Sequence, residues 1–216
     1  MDESFAFFLE NFGGAPLGRR EVDPRCATRY DGRLPTKLFD YWSEHGFAGY
    51  GSGRFWTTDP ADYEAVLKRW LKHTAFAEAD DYHVIGRTAF GGLWVWGSRS
   101  GPSLQIASAL HLLFPDRMAA ASMANGDANF VLQIFFESMT PAATEIFDDV
   151  HAQPLFKRAL RKLGPLAADE VYGFVPALVM GGRARLDNLR KLRIIEHLEM
   201  LAELAPARIM ENPLRR

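Results

Sequence analysis

Between Tyr82 and Gly97 the chain reads YHVIGRTAFGGLWVWG, two runs of strand-forming residues joined through Gly91-Gly92, the pattern of a β-hairpin. The second run is apolar on both faces. Side chains alternate along a strand, so Leu93 and Val95 point one way and Trp94 and Trp96 the other. Any fold this chain adopts must therefore cover that strand twice. The two tryptophans read as core rather than contact surface, although Trp is also favoured among binding hot spots.

Around this hairpin the sequence has the make-up of a well-packed globular protein. Of its 216 residues, 48% are hydrophobic and 24% charged. That length suits one large or two small domains. The net charge of −2 provides no whole-molecule field to draw in nucleic acid or an anionic membrane, so any binding must be local. No run approaches the roughly 20 apolar residues of a membrane helix, and MDESFAFFLE opens acidic rather than as a basic export signal, so a cytoplasmic location is expected. The single cysteine, Cys26, can form neither an internal disulfide nor a thiolate metal cluster, and it reads as an inert packed thiol.

Helical spacing of Phe5, Phe8, Leu9 and Phe12, stopped by Gly13-Gly14, predicts a helix from Glu3 to Phe12. After a loop rich in charge and glycine, LPTKLFDYWSEHG predicts a second, with Leu38, Tyr41 and Trp42 on one stripe and Gly46 as its stop. RFWTT reads as a short strand. Asp59 as N-cap, Pro60 at the first helical position and Asp62 in the first turn then open a helix whose buried stripe is Tyr63, Val66, Leu67, Trp70 and Leu71. After the hairpin, a third strand is expected near Leu104 to Leu110, making a meander.

The segment PDRMAAASMANGDA loses periodicity and gains small residues, which places a boundary between about Pro115 and Ala128; it also reads as a long internal loop. Beyond it, NFVLQIFFES reads as a buried helix, PLFKRALRKLG as a helix ended by Gly164, and VYGFVPAL as an edge strand interrupted by Pro176. A long amphipathic helix is expected from about Asp187 to Leu204, with Leu189, Leu192, Ile195, Leu198 and Leu201 inward. The predicted class is α+β: a small antiparallel meander flanked by helices in residues 1–115, a linker at 116–128, and a mainly helical domain in residues 129–216.

RFWTTDPADYEAVLKRWL, followed by YHVIGRTAFGGLWVWG, resembles the GAD-like domain, a module named for a distant likeness to an insertion domain of certain tRNA-charging and amidotransferase proteins. FKRALRKLGPLAADEVYGFVPALVMGG, with LDNLRKLRIIEHLEMLAEL after it, resembles the small domain that often follows a GAD-like domain. The pair is similar to immunity proteins of bacterial type VI secretion systems. That resemblance implies a cytoplasmic protein that binds and inhibits a cognate toxin, a DNase, with no cofactor, no metal and no turnover.

The residues themselves signal no catalysis. His45, His73, His83, His111, His151 and His197 are scattered, none in HExxH or another two-ligand helix spacing. Asp148, Asp149 and His151 could form a metal or acid–base cluster, but read more simply as a solvated helix end. Ser98, Ser100 and Ser103 lack a nucleophile elbow, and the glycine pairs match no phosphate-cradling loop.

Charge is distributed unevenly along the chain. From Asp116 to Asp149 there are six acids (Asp116, Asp127, Glu137, Glu145, Asp148, Asp149) against Arg117, a net −5; from Lys157 to Arg193 nine bases face Asp169, Glu170 and Asp187, a net +6. A nuclease grips a polyanion with Lys and Arg, so an inhibitor presenting carboxylates could occupy that track and hasten association. The acidic segment is thus the first candidate interface, with Asp116, Asp127, Glu145, Asp148 and Asp149 as contacts. Glu78, Asp80 and Asp81, just before the hairpin, form the second. The alternative for the first is a solvated loop whose charges pair with the basic helices of the same domain, and for the second a plain exposed loop. The basic segment supports a rival reading, a nucleic-acid or tRNA-associated module, although it lacks interleaved aromatics for stacking. The function read here is stoichiometric binding to a toxic nuclease effector. Nanomolar affinity, roughly −12 kcal/mol, and an interface of roughly 1,600 Å² would suit it.

Overall fold

The computed structural model describes residues 2–210. Its elements run α1 (Glu3–Phe12), β1 (Leu17–Arg20), α2 (Arg25–Tyr30), α3 (Thr36–His45), β2 (Phe47–Tyr50), β3 (Phe55–Thr57), α4 (Glu64–Leu71), β4 (Tyr82–Thr88), β5 (Leu93–Gly97), β6 (Gly101–Ala107) and β7 (Leu112–Pro115). They continue as α5 (Ala120–Ala124), α6 (Ala128–Ser138), α7 (Phe156–Leu163), β8 (Glu170–Phe174), β9 (Leu189–Arg193), α8 (Ile194–Leu204) and β10 (Arg208–Ile209). Strands β1 to β7 pair antiparallel in chain order, and β10 returns to lie parallel to β7, so the meander is the frame of an eight-stranded open sheet. β8 and β9 form a separate antiparallel ribbon.

The doubly apolar strand is covered as its sequence demands. Leu93 and Val95, at 0% and 1% exposure, join Val66, Leu67, Leu198 and Leu201 under α4 and α8. Trp96, at 0%, packs on the opposite face with the apolar sides of α1, α3 and α6, and Trp94 meets Phe135 of α6 edge-on at 5.7 Å. The sheet is therefore the middle layer of three. Asp2 knots the upper layer together: it caps α1 by accepting from the Ser4 N–H at 3.1 Å, and it also accepts from Lys37 Nζ (2.6 Å), Tyr41 Oη (2.9 Å) and Gln133 Nε2 (2.8 Å). Thus α6, although it follows the expected boundary, shares a core with α1 and α3.

The second half is stitched to the sheet at other points. Trp70 donates from Nε1 to the Leu198 carbonyl at 3.1 Å, and the Tyr172 N–H donates to the Ala89 carbonyl at 2.9 Å. The guanidinium of Arg87, 1% exposed, lies 4.6 Å over Trp56 and donates to the Ala168 carbonyl at 2.8 Å.

Several elements differ from the sequence reading. The long helix expected from Asp187 to Leu204 begins only at Ile194; Leu189–Arg193 is β9, paired with β8. β8 agrees with that reading, stopping at Phe174, before Pro176, because a residue without an N–H cannot extend the ladder. The third strand begins at Gly101 and ends at Ala107, after which a 3-10 turn, Ser108–Leu110, leads into β7. Helix α2 lies inside the loop between the first two expected helices, and Pro60–Tyr63 is 3-10 before α4 becomes regular.

Candidate partner interface

Glu145 lies inside the molecule. Its side chain is 6% exposed and is held by Arg54 Nη1 at 2.6 Å, a residue from the turn between β2 and β3. Its other oxygen accepts from the backbone N–H groups of Ile146 (3.2 Å), Leu155 (3.1 Å) and Phe156 (2.9 Å), so Glu145 also caps the start of α7. The Arg54 guanidinium stacks over the Phe156 ring at 4.2 Å. This buried pair joins the two halves of the chain and offers no open carboxylate.

Asp148 is equally internal. It is 4% exposed at the side chain, accepts from the His151 N–H at 2.7 Å and the Val150 N–H at 3.1 Å, and is paired with Arg158. Those backbone bonds, then the guanidinium, hold its carboxyl down at about 2. Asp149 is clasped by Arg183 (2.7 Å) and Arg185 (3.1 Å), which also lower its pKa. Lys162 meets Asp187, Lys191 meets Glu170 at 3.0 Å, and Arg193 meets Asp169. The basic stretch thus answers two acids of the acidic stretch, Asp148 and Asp149, while Lys162, Lys191 and Arg193 pair with acids of their own stretch.

The second candidate cluster divides in the same way. Asp80 is 4% exposed and organises the turn after β5: it accepts from the Ser100 N–H (2.9 Å) and hydroxyl (2.6 Å) and from the Arg99 N–H (3.2 Å). Burial opposes its charge, but these donors outweigh it, and its pKa is lowered. Asp81, half exposed, stands 3.6 Å from Arg33. Glu78, Asp116 and Asp127 lie at the surface. Of the eight sequence candidates, these three and Asp149 are exposed and Asp81 is half exposed, Asp149 and Asp81 each being paired with arginine.

His83, His111 and His197 are buried, whereas His73 and His151 are exposed. His197, 7% exposed, is pushed down by burial to about 4, so it is neutral near neutral pH. His111 bonds through Nε2 to the Leu201 carbonyl at 2.7 Å, and the Ser100 hydroxyl lies between Asp80 and Ser103 with no imidazole beside it. His151 touches Asp148 through its backbone rather than its ring. Among the described residues, no group of three or more His, Cys, Asp or Glu is placed to hold a metal ion, and no helix is long and apolar enough to cross a membrane. Two open clefts, of ≈ 370 and ≈ 430 Å³, are lined chiefly by residues already engaged: Arg20 with Asp62 at 2.6 Å in the first, Arg19 with the His45 carbonyl at 3.2 Å in the second.

The chain belongs to the GAD-like domain family, whose model matches residues 3–110. Residues 129–205 match the C-terminal domain of the type VI secretion immunity protein Tdi1. Its fold is similar to that in the crystal structure of Atu4351 from Agrobacterium tumefaciens: the TM-score is 0.81 at 20% identity, covering 94% of this chain and 91% of that one. No curated protein matches the chain.

Proposed function

We propose that this protein binds a cognate type VI secretion effector, a DNase, in the cytoplasm of the cell that makes both, and inhibits it by stoichiometric occlusion. The match of residues 129–205 to an immunity-protein domain carries this reading. The interior arrangement supports it: the charged groups brought closest together are consumed in holding the fold, which leaves the surface to act by complementarity. The nucleic-acid reading loses support for the same reason, since Arg158, Lys162, Arg183, Arg185, Lys191 and Arg193 all answer carboxylates of their own chain. The test is co-expression with the effector encoded beside this gene. A one-to-one complex that abolishes DNA cleavage is expected; no complex at micromolar concentrations, or cells lacking the protein that survive their own effector, would end the proposal.

A further inference from the structure

The upper helical layer carries large apolar side chains that no other part of the described chain covers. On α6, Phe130 is 57% and Ile134 47% exposed; on α1, Phe7 is 47% exposed. Each lies between exposed acids on its own helix. Asp127, Phe130, Ile134 and Glu137 follow the i, i+3, i+7, i+10 spacing of one stripe along α6, and Glu3, Phe7 and Glu10 follow i, i+4, i+7 along α1. Asp40 of α3 is exposed as well.

What is missing from this layer matters as much. The one Lys or Arg within the three helices is Lys37, and it is spent on Asp2 at 2.6 Å. Among the described residues, no cation lies within salt-bridge distance of Glu3, Glu10, Asp40, Asp127 or Glu137. The layer on the other side of the sheet contrasts with it, because there Arg69 of α4 answers Glu199 (3.3 Å) and Glu203 (2.7 Å) of α8. Apolar centres with a charged rim are the anatomy of a protein interface, and a rim of one sign selects a partner of the opposite sign.

We infer that the α1–α3–α6 layer is the surface on which the effector docks, the partner being the cationic DNA-binding face of a nuclease with apolar side chains to meet Phe7, Phe130 and Ile134. This rests on the immunity reading and deepens it by naming the contact face. A protein that grips DNA presents Lys and Arg for phosphate, and this layer offers them carboxylates with no competing cation among the described residues. The surface also spans both family segments, since α1 and α3 lie in the GAD-like match and nearly all of α6 in the immunity-domain match. It is complete only when the two are present together.

The experiment measures association and dissociation rates for the full chain against the effector domain encoded beside it, disabled in its own catalytic residue. Phe130→Ala with Ile134→Ala should speed dissociation at least about tenfold, as expected on truncating central anchors. Glu10→Lys, Asp40→Lys and Glu137→Lys together should slow association at least about tenfold at low ionic strength, with the gap closing toward about 0.5 M salt. Glu196→Lys, exposed on α8, should leave both rates unchanged. All these positions are exposed, so melting temperatures should stay near that of the unaltered protein, which separates loss of contact from loss of fold. If the unaltered chain binds and the face variants bind equally well, the docking face lies elsewhere while the immunity reading stands. If the unaltered chain does not bind, both fall.

Discussion

Replacing Glu145 with Ala should unfold this protein more readily without acting on its partner directly. The substitution removes the acceptor for the Arg54 guanidinium, whose side chain is 9% exposed, and leaves that cation with the Pro141 carbonyl at 3.3 Å. It also strips the acceptor from the Leu155 and Phe156 N–H groups at the start of α7. Breaking a buried pair by removing one partner costs about 3–5 kcal/mol, because the other charge stays buried and unanswered. At ~2–4 °C per kcal/mol for a chain of this size, the melting temperature should fall by roughly 6–20 °C. Glu145→Gln keeps an oxygen for the helix start but loses the charge, and should fall in between. Arg54→Leu with Glu145→Leu removes both charges and should cost less than the two single changes summed. Thermal and urea denaturation of the unaltered protein, Arg54→Leu, Glu145→Leu and the double variant completes a double-mutant cycle. If Glu145→Ala melts within ~2 °C of the unaltered protein, or if the two costs simply add, the pair does not join the halves as argued.

Asp2 gives a prediction tied to pH. Burial alone would raise its pKa, but hydrogen bonds from Lys37 and Tyr41 and the Lys37 charge outweigh that and lower it from 3.8 to about 2. A depressed carboxylate contributes stability that is fully present above its unfolded pKa and is lost as pH falls through its folded one. Asp2→Asn should therefore lower the urea midpoint at pH 6, and the difference should shrink between about pH 4 and pH 2; a constant difference across that window would contradict the assignment. Cys26, 3% exposed, has its thiol pushed up to about 11 by burial, with Asp59 adding to the effect, so alkylation at pH 8 should be slow in the folded protein and prompt in denaturant. Equal labelling rates in the two states would refute this. Gly86→Ala would set a Cβ 2.4 Å from Cζ of the buried Phe55 ring and should cost about 1–3 kcal/mol in thermal unfolding. An unchanged melt would mean that the ring yields freely.

The parts of the fold that could be read from sequence are those where one residue's neighbours in the chain settle its fate. The stripes of α1, α3, α4 and α7, with Gly13, Gly46 and Gly164 as stops, are local patterns, and the structure keeps them. So is the alternation in β5. β1, β2 and β7 have four residues each and β10 two, too few for periodicity to show. β9 was hidden because Leu189 and Leu192 continue the three-residue spacing of Ile195, Leu198 and Leu201, and only pairing with β8 decides otherwise.

The candidate interface was less legible still. Counting charges by segment put Glu145 and Asp148 among the contacts, whereas their partners Arg54 and Arg158 come from elsewhere in the chain and draw them inward. The unanswered acids come from three separate stretches that meet only after folding. Of the sequence candidates, Asp127 stands at the start of the α6 stripe proposed as the docking face, and Glu137, counted in the acidic segment, stands at its other end.

β10 is two residues long, yet its position makes it a latch. The Arg208 N–H donates to the His111 carbonyl and the Met210 N–H to the Leu113 carbonyl, both at 2.8 Å, closing the outer margin of the sheet with residues made long after that margin. While the chain is being synthesised, β7 exposes an unsatisfied ladder until this latch arrives, and a nascent or clipped molecule ending near Leu204 would keep that ladder available to other chains. Self-association of such a shortened form, prevented by restoring a handful of residues, would be the cellular cost of covering a sheet margin with a strand made so much later than its neighbour.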